Sequence, residues 1–454
     1  MFFRNFLHRI FTDFPLYGII TITTSYTRSG IFRCITKRRN NMEQIPSGDR
    51  ERLRALAKQR QELANSPKNE EIMKKWNALA EGRKESPTVR LLFSNFTHEV
   101  IAPRMQCESE AARGVESYLL STMVGRELFD DDTPLSNELP IGLRTWASPF
   151  GIGAKRSRIP GKVGSGYHID PVIEDLEEEW EKLKGGRFGA DLKGTVEYCG
   201  WLGELFGDIL PTKIVMNSLT GAMTNPLVHL MGMENYYLSM YDCPEILHKV
   251  MDMATKVYED YYDFLEREKL LLPTVGLSPL PQESYSFTSE LPADSAVKTT
   301  DCWGFLESQE TTAVAPEVFG EFVYPYQDRL VKRMGLLSYG CCERVDAIWP
   351  DYLFKWKNLR KLSVSPFNNE AQVGEYLRGT NVIYYSKPRA EYVTNPGPMD
   401  EEALKKYFKM VCESASGCLF EMAQREVLTI FGDYNRGRRY VEIAKECIER
   451  YWQP

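Results

Sequence analysis

Histidine is scarce in this chain, with five among 454 residues at positions 8, 98, 168, 229 and 248. That scarcity excludes a metal centre built mainly on imidazole, so a zinc site would have to draw on thiolates or carboxylates. No uninterrupted apolar run reaches the roughly 20 residues that a membrane-spanning helix needs, and no membrane role is expected. Basic charge is not in excess either. The 56 Lys and Arg are outnumbered by 63 Asp and Glu, leaving a net charge of −7 and a pI near 5.6. Such a chain lacks the positive surplus that phosphate backbones reward, which argues against nucleic-acid binding. The ten cysteines, at 34, 107, 199, 243, 302, 341, 342, 412, 418 and 447, lack the dense spacing of a small secreted disulfide scaffold. They are expected to be free thiols in a reducing cytoplasm.

The composition, 43% hydrophobic and 26% charged with 25 Pro and 32 Gly, is that of an ordinary folded protein with a large core. Residues 1–41 are different in character. They hold seven basic residues (Arg4, Arg9, Arg28, Arg33, Lys37, Arg38, Arg39) against Asp13 alone, a charge of +6 that leaves −13 for the remainder. Pro15, Gly18 and the β-branched run 19–24 interrupt the amphipathic helix of a targeting peptide. The expectation is a disordered or artefactual extension over 1–41, translation beginning at Met42, and one domain over 42–454.

From Gly48 to about Arg83, apolar residues at helical spacing (Leu53, Leu56, Ala57; then Met73, Trp76, Leu79) predict two peripheral helices separated at Asn65-Ser66-Pro67. Val89–Phe93 predicts a strand, and the charged run Ile173–Lys184 a solvated helix. Further on, β-rich runs recur at Lys213–Leu219, Leu271–Val275, Cys302–Leu306, Leu336–Tyr339, Leu359–Val364, Val382–Tyr385 and Leu419–Met422. Helical stretches lie between most of them, at Pro244–Glu268, Pro316–Met334, Asn369–Arg378 and Glu401–Ser416. Strand and helix in alternation predict a parallel sheet with helices outside. Seven strands and one from the region before residue 160 make the eight of a (β/α)8 TIM barrel, an α/β fold, here with additional N-terminal helices to about residue 85. An open doubly wound sheet is the competitor, but no Gly-rich phosphate fingerprint follows any strand.

In a barrel the catalytic groups come from the C-terminal ends of the strands. The residues at those positions are Glu307-Ser308-Gln309-Glu310, then Tyr339-Gly340-Cys341-Cys342-Glu343, then Ser363 with Ser365, Ser386 with Lys387, and Glu421 with Gln424. Cys341, Cys342 and Glu343 form the sharpest cluster, because a thiolate or carboxylate there can ligate zinc or act as a nucleophile. Glu307 and Glu310 suit general acid or base work or oxygen ligation. Glu421, flanked by Leu419, Phe420 and Met422, requires a partner if it points inward. His98 follows a strand directly, His168 lies in the flexible run 164–170, and Asn217 ends a strand beside Thr220 and Gly221; all three are candidate substrate contacts. His229, His248, Met231, Met233 and Met240 are assigned to packing.

The run Trp303–Glu310, Pro325-Tyr326, Tyr339–Glu343 and Asn358–Pro366, in that order, resembles the uroporphyrinogen decarboxylase superfamily, and within it the branch of uroporphyrinogen decarboxylase-like proteins of anaerobic and gut bacteria. The resemblance extends from about residue 70 to the C-terminus and takes in Phe96–Val100. It implies a (β/α)8 barrel and one of two chemistries. Corrinoid-dependent methyltransferases of this type move methyl groups between small methylated compounds and a corrinoid protein, with zinc held by a His-x-Cys pair and a later cysteine. Here Tyr339-Gly340-Cys341 occupies the His-x-Cys position, Cys418 precedes the last strand instead of following it, and Ala423-Gln424 replaces the usual Lys-Asp. The implied function is methyl transfer between a small methyl donor or acceptor and a corrinoid delivered by a partner protein. Cys341 and Glu307 would be the zinc ligands, and Glu307, Cys341 and Glu343 the catalytic groups. Substrate would be contacted by His98, His168, Asn217, Gln309, Glu310, Tyr339, Ser365, Lys387 and Glu421. The alternatives are cofactor-free decarboxylation of a tetrapyrrole, for which the Arg-Gln-Ala-Gly-Arg type motif is missing and Arg344, Arg360 and Arg389 are few, and a non-catalytic barrel that binds a corrinoid or small molecule.

Overall fold

A computed structural model describes residues 45–158 and 167–454. The expectations for residues 1–41 and Met42, and for Gly164–Gly166, lie outside the described residues. Two helices come first, α1 (Ser47–Ala64) and α2 (Pro67–Ala80), and the Ser66 side chain between them caps α2 by accepting from Asn69 N–H. Next come β1 (Thr88–Leu91), α3 (Glu110–Val124), β2 (Leu139–Gly142), β3 (Thr145–Ser148), β4 (Lys155–Arg158), β5 (Tyr167–Asp170), β6 (Arg187–Ala190), α4 (Leu192–Phe206), β7 (Thr212–Val215) and β8 (Leu219–Thr220). The chain continues through α5 (Thr224–Met231), α6 (Met233–Asp242), α7 (Pro244–Arg267) and a hairpin of β9 (Gly276–Leu280) and β10 (Ser284–Ser286). The last part alternates: β11 (Trp303–Leu306), α8 (Pro316–Phe322), α9 (Tyr324–Val331), β12 (Leu336–Tyr339), β13 (Leu359–Val364), α10 (Glu370–Leu377), β14 (Ile383–Ser386), α11 (Glu401–Ser414), β15 (Leu419–Gln424) and α12 (Tyr434–Tyr451).

Seven strands form one parallel sheet in the order β1-β15-β14-β13-β12-β11-β8, and β2 pairs in parallel with β7 in a separate ladder. The protein is therefore α/β. Among the described residues no ladder joins β1 to β2. The free edge of β1 is met instead by two aspartates, Asp132 accepting from Val89 N–H (2.9 Å) and Asp131 from Leu91 N–H (3.1 Å), while Asp132 N–H donates to Val89 O (2.8 Å). Side-chain carboxylates thus satisfy backbone donors that an edge strand would otherwise expose.

Alternation along the strands separates two faces. Leu306, Leu337, Tyr339, Leu362, Tyr384, Phe420 and Met422 join the main hydrophobic core with the helices. The residues between them, Trp303, Leu336, Lys361, Ile383, Tyr385, Leu419 and Glu421, face the β9–β10 hairpin and α2. There Trp76 and Phe287 pack with Ile383 and Leu419, and Leu280 with Trp303 and Leu336. On this face Glu421 accepts from Lys361 Nζ (2.6 Å), Ser284 Oγ (2.8 Å) and Arg90 Nη2 (3.3 Å), all four residues being buried.

Several expectations need correction. Leu271–Val275 is not a strand: Pro273 has no N–H to give a ladder, and Thr274 Oγ1 instead accepts from Trp303 N–H at 2.7 Å. The run 316–334 is two helices broken at Val323, because Pro325 cannot donate to the preceding turn. Residues 173–184 hold only one α-helical turn, Leu176–Glu179, followed by a 3-10 segment, Trp180–Lys184. Lys213–Leu219 is divided into β7 and β8.

The ion-pair network gives a stability prediction. Glu421→Ala leaves two buried cations without compensation and is expected to cost on the order of 3–5 kcal/mol, measured from the urea unfolding midpoint. Lys361→Met, which leaves Glu421 paired with Arg90, should cost clearly less; equal losses would show that charge compensation is not what the network supplies.

Candidate active site

The turns that follow β11, β12, β13, β14 and β15 bring a buried polar cluster together at the C-terminal ends of the strands. Glu307, directly after β11, accepts from Gln309 N–H through Oε2 (3.0 Å), while its other oxygen is buried with no partner among the described residues. Glu310, in the same turn, accepts from Thr224 Oγ1 and Asn225 Nδ2, both at 2.7 Å, at the start of α5. Glu343 links the turns after β11 and β12, accepting from Ser308 N–H (2.8 Å) and Cys341 N–H (2.6 Å). The intervening Gly340 has φ +101°, a conformation that a side chain disfavours, and a Cβ there would lie 3.2 Å from Ser363 Cβ.

Around this turn, Cys341 Sγ donates to Gln309 Oε1 (3.1 Å), Lys387 Nζ donates to Cys341 O (3.0 Å) and to Gln282 Oε1 (2.6 Å), and Ser365 Oγ donates to Cys342 O (3.1 Å). Arg425 Nη1 also donates to Gln282 Oε1. Gln282 and Glu283 form the tip of the β9–β10 hairpin, with φ of +65° and +62°, so the tip holds a strained backbone against the two cations.

Burial dominates the electrostatics. It raises the Glu307 carboxyl well above the ordinary range, and Glu310, Cys341 and Glu343 add to the effect. Glu310 is raised by burial against the hydrogen bonds from Asn225 and Thr224, and Glu343 by burial against those from Ser308 and Cys341. Lys387 is lowered by burial. Glu426, the residue after Arg425, is pushed up to about 7 by burial, opposed by Arg425 and Lys387. Burial therefore shifts all three neighbouring carboxyl groups upward, most strongly Glu307.

Most of the residues expected at the strand ends meet here: Glu307, Gln309, Glu310, Cys341, Glu343, Ser365 and Lys387. Others do not. Tyr339 points to the helix-facing side, as the alternation after Ser338 requires, where its hydroxyl meets Ser308 Oγ (2.9 Å) and its ring packs near Trp356. Glu421 belongs to the network with Lys361 and Arg90, and Gln424 accepts from Tyr440 OH, on α12. His98 and His168 are exposed, each beside one carboxylate, Glu99 (3.7 Å) and Asp170 (3.9 Å). Asn217 lies half-buried between β7 and β8. His229 is buried, and desolvation together with Arg156 lowers it to about 4; His248 stacks on Phe322. Gln282, Arg425, Glu426, Thr224 and Asn225 were not among the expected site residues. Arg425 and Glu426 directly follow a strand and obey the same positional rule as Lys387, whereas nothing in the local sequence marks Gln282.

The donor chemistry does not fit a zinc site. Among the described residues no group of three or more His, Cys, Asp or Glu side chains is arranged to hold a metal ion. Both Glu343 oxygens accept backbone N–H groups, and the Cys341 thiol is a hydrogen-bond donor. No helix of the described residues is long and apolar enough to cross a membrane.

No protein-family model and no curated protein matches the chain. Among solved structures, a methyltransferase from Methanosarcina mazei is similar at 14% sequence identity with a TM-score of 0.48, over 83% of this chain and 98% of that one.

The Glu426 carboxyl makes a pH prediction. Its folded pKa of about 7 lies above the ordinary 4.5, so the native protein keeps a proton that the unfolded chain releases in this window. The stability contribution is complete below 4.5 and is lost as pH rises through about 7. The urea midpoint should therefore fall across this range, and fall less steeply in Glu426→Gln; identical slopes would count against the assignment.

Proposed function

We propose that this protein is an enzyme that transfers a methyl group from the oxygen, nitrogen or sulfur of a small compound to a corrinoid carried by a separate protein. In this reading β7 and β8 are two parts of one strand, β2 is the eighth strand that completes a (β/α)8-type barrel with the seven-stranded sheet, and the polar cluster lies at its mouth. The observation that carries the proposal is the Glu307 carboxyl: buried, driven toward its protonated form, and with one oxygen unpartnered at the C-terminal ends of the strands. A methyl group leaves a heteroatom readily only if the heteroatom can accept the bonding electron pair. A proton delivered to it lowers that barrier. The acceptor's nucleophile forms the new bond to the methyl carbon, the heteroatom keeps the old electron pair, and Glu307 supplies the proton and becomes a carboxylate.

The other residues position this step. Glu343 fixes the turn of Glu307 to that of Cys341 through two backbone hydrogen bonds, and Glu310 is anchored by Thr224 and Asn225. Because the available donors do not form a zinc site, no step is assigned to zinc, and Cys341 acts as a thiol that orients Gln309. Tetrapyrrole decarboxylation has less support, since Arg344, Arg360 and Arg389 are each engaged by a nearby carboxylate, Asp346, Glu290 and Glu391.

The test uses free cob(I)alamin as acceptor and a panel of methyl ethers, methylamines and methyl thioethers as donors, with cobalt alkylation followed spectrophotometrically. At least one donor class should react, and Glu307→Gln should lower the rate about 10²–10⁴-fold with a smaller effect on KM. Stabilisation of the fold by a donor without turnover would favour a binding protein, and an unimpaired Glu307→Gln enzyme would remove the proposed acid.

A further inference from the structure

Cys341 and Cys342 stand apart from the main core as a buried apolar pair of their own. In an extended strand neighbouring side chains point to opposite faces. Here the turn that begins at Gly340 places both sulfurs on one side, with Sγ atoms 3.7 Å apart. The segment is tightly held. Cys341 O accepts from Ser363 Oγ (3.1 Å) and Lys387 Nζ (3.0 Å), Cys342 O from Ser365 Oγ (3.1 Å), and Cys341 N–H donates to Glu343 (2.6 Å). No other hydrogen-bonded pair of cysteine sulfurs occurs among the described residues.

We propose that Cys341 and Cys342 are a two-electron redox site, a vicinal dithiol that a low-molecular-weight disulfide oxidises to a disulfide spanning the single peptide bond between them. Cys342 is the more exposed residue, at 7% against 1% for Cys341. The greater exposure of its residue makes Cys342 the attacking group. The Cys342 sulfur, as thiolate, attacks one sulfur of the small disulfide and expels the other as a thiolate. Cys341, after passing its proton to that leaving thiolate or to water, attacks Cys342 and expels the second thiolate. Two electrons and two protons pass in total from the protein to the small disulfide, which becomes two thiols.

Closure must bring the sulfurs from 3.7 Å to about 2.05 Å. Adjacent Cα atoms are about 3.8 Å apart, below the usual span of about 4.4–6.8 Å, so the bond is strained and readily reduced. Burial pushes the thiols of Cys107 and Cys302 up to about 12 and that of Cys418 to about 11, and none of these has a partner sulfur in place. Oxidation would also remove the S–H that Cys341 donates to Gln309, changing the site beside Glu307.

The full chain, reduced and then exposed to oxidised glutathione, should become lighter by two hydrogens on intact mass analysis. Alkylation should be lost at Cys341 and Cys342 alone of the ten cysteines, and dithiothreitol should restore both. Cys341→Ser should instead retain a glutathione adduct on Cys342. A parent chain that retains such an adduct, that keeps both thiols open to alkylation, or that oxidises at other cysteines overturns the proposal. The outcome is independent of whether the protein transfers methyl groups.

Discussion

Lys361, Arg90 and Glu421 are buried on one face of the sheet, and their mutual compensation is the constraint on which the rest of the arrangement depends. One carboxylate cannot satisfy two cations and its own four lone-pair positions from the strands alone. Ser284 completes the network, and Ser284 is contributed by the β9–β10 hairpin. The charges therefore draw the hairpin onto the sheet. The hairpin tip in turn puts Gln282 between Lys387 and Arg425, at the border of the buried polar cluster. Ion pairing within the sheet and geometry at the strand ends are thus two parts of one insertion.

The cluster at the strand ends uses burial in the opposite way. Near Glu421, opposite charges are paired so that they remain charged. Around Glu307, Glu310 and Glu343, like groups are gathered with too few cations, and burial shifts each of them toward the neutral form. Two pieces of backbone maintain the difference: the left-handed turn at Gly340, which aims Cys341 N–H at Glu343, and the hairpin tip, which occupies Lys387 and Arg425 with a neutral amide oxygen instead of a carboxylate.

Much of this was legible in the sequence, for a physical reason. Runs such as Leu336–Tyr339 and Leu359–Val364 are strands because β-rich residues bounded by helical stretches have few alternatives, and the positional rule for parallel sheets then selects Glu307, Gln309, Glu310, Cys341, Glu343, Ser365 and Lys387 without any coordinates. The same rule failed where local chemistry outweighed pattern. Leu271–Val275 has strand composition, yet Pro273 and Thr274 exchange a ladder for a side-chain hydrogen bond. Tyr339 and Glu421 were placed in the site because of their position at or near strand ends, but a period of two sends Tyr339 to the helices, and Glu421 lies deeper than the cluster. Gln282 was invisible because its role depends on a tertiary insertion. His98 and His168 attracted notice by being histidines, and the fold leaves both in solvent.

The inserted hairpin also bears on how the chain reaches this structure. Gln282 bonds to Arg425 across 143 positions, and Ser284 to Glu421 across 137. These contacts cannot form until the last strand has been laid down, so the interior charges stay hydrated and that face of the sheet stays uncovered until late. Loop-closure entropy over such separations must be met before any of the compensating contacts exist, a topology associated with slow folding. Until β15 docks, the chain would carry a nearly complete parallel sheet with an unpaired edge and an unfilled face, the form in which a protein of this size is most exposed to aggregation and most dependent on chaperones.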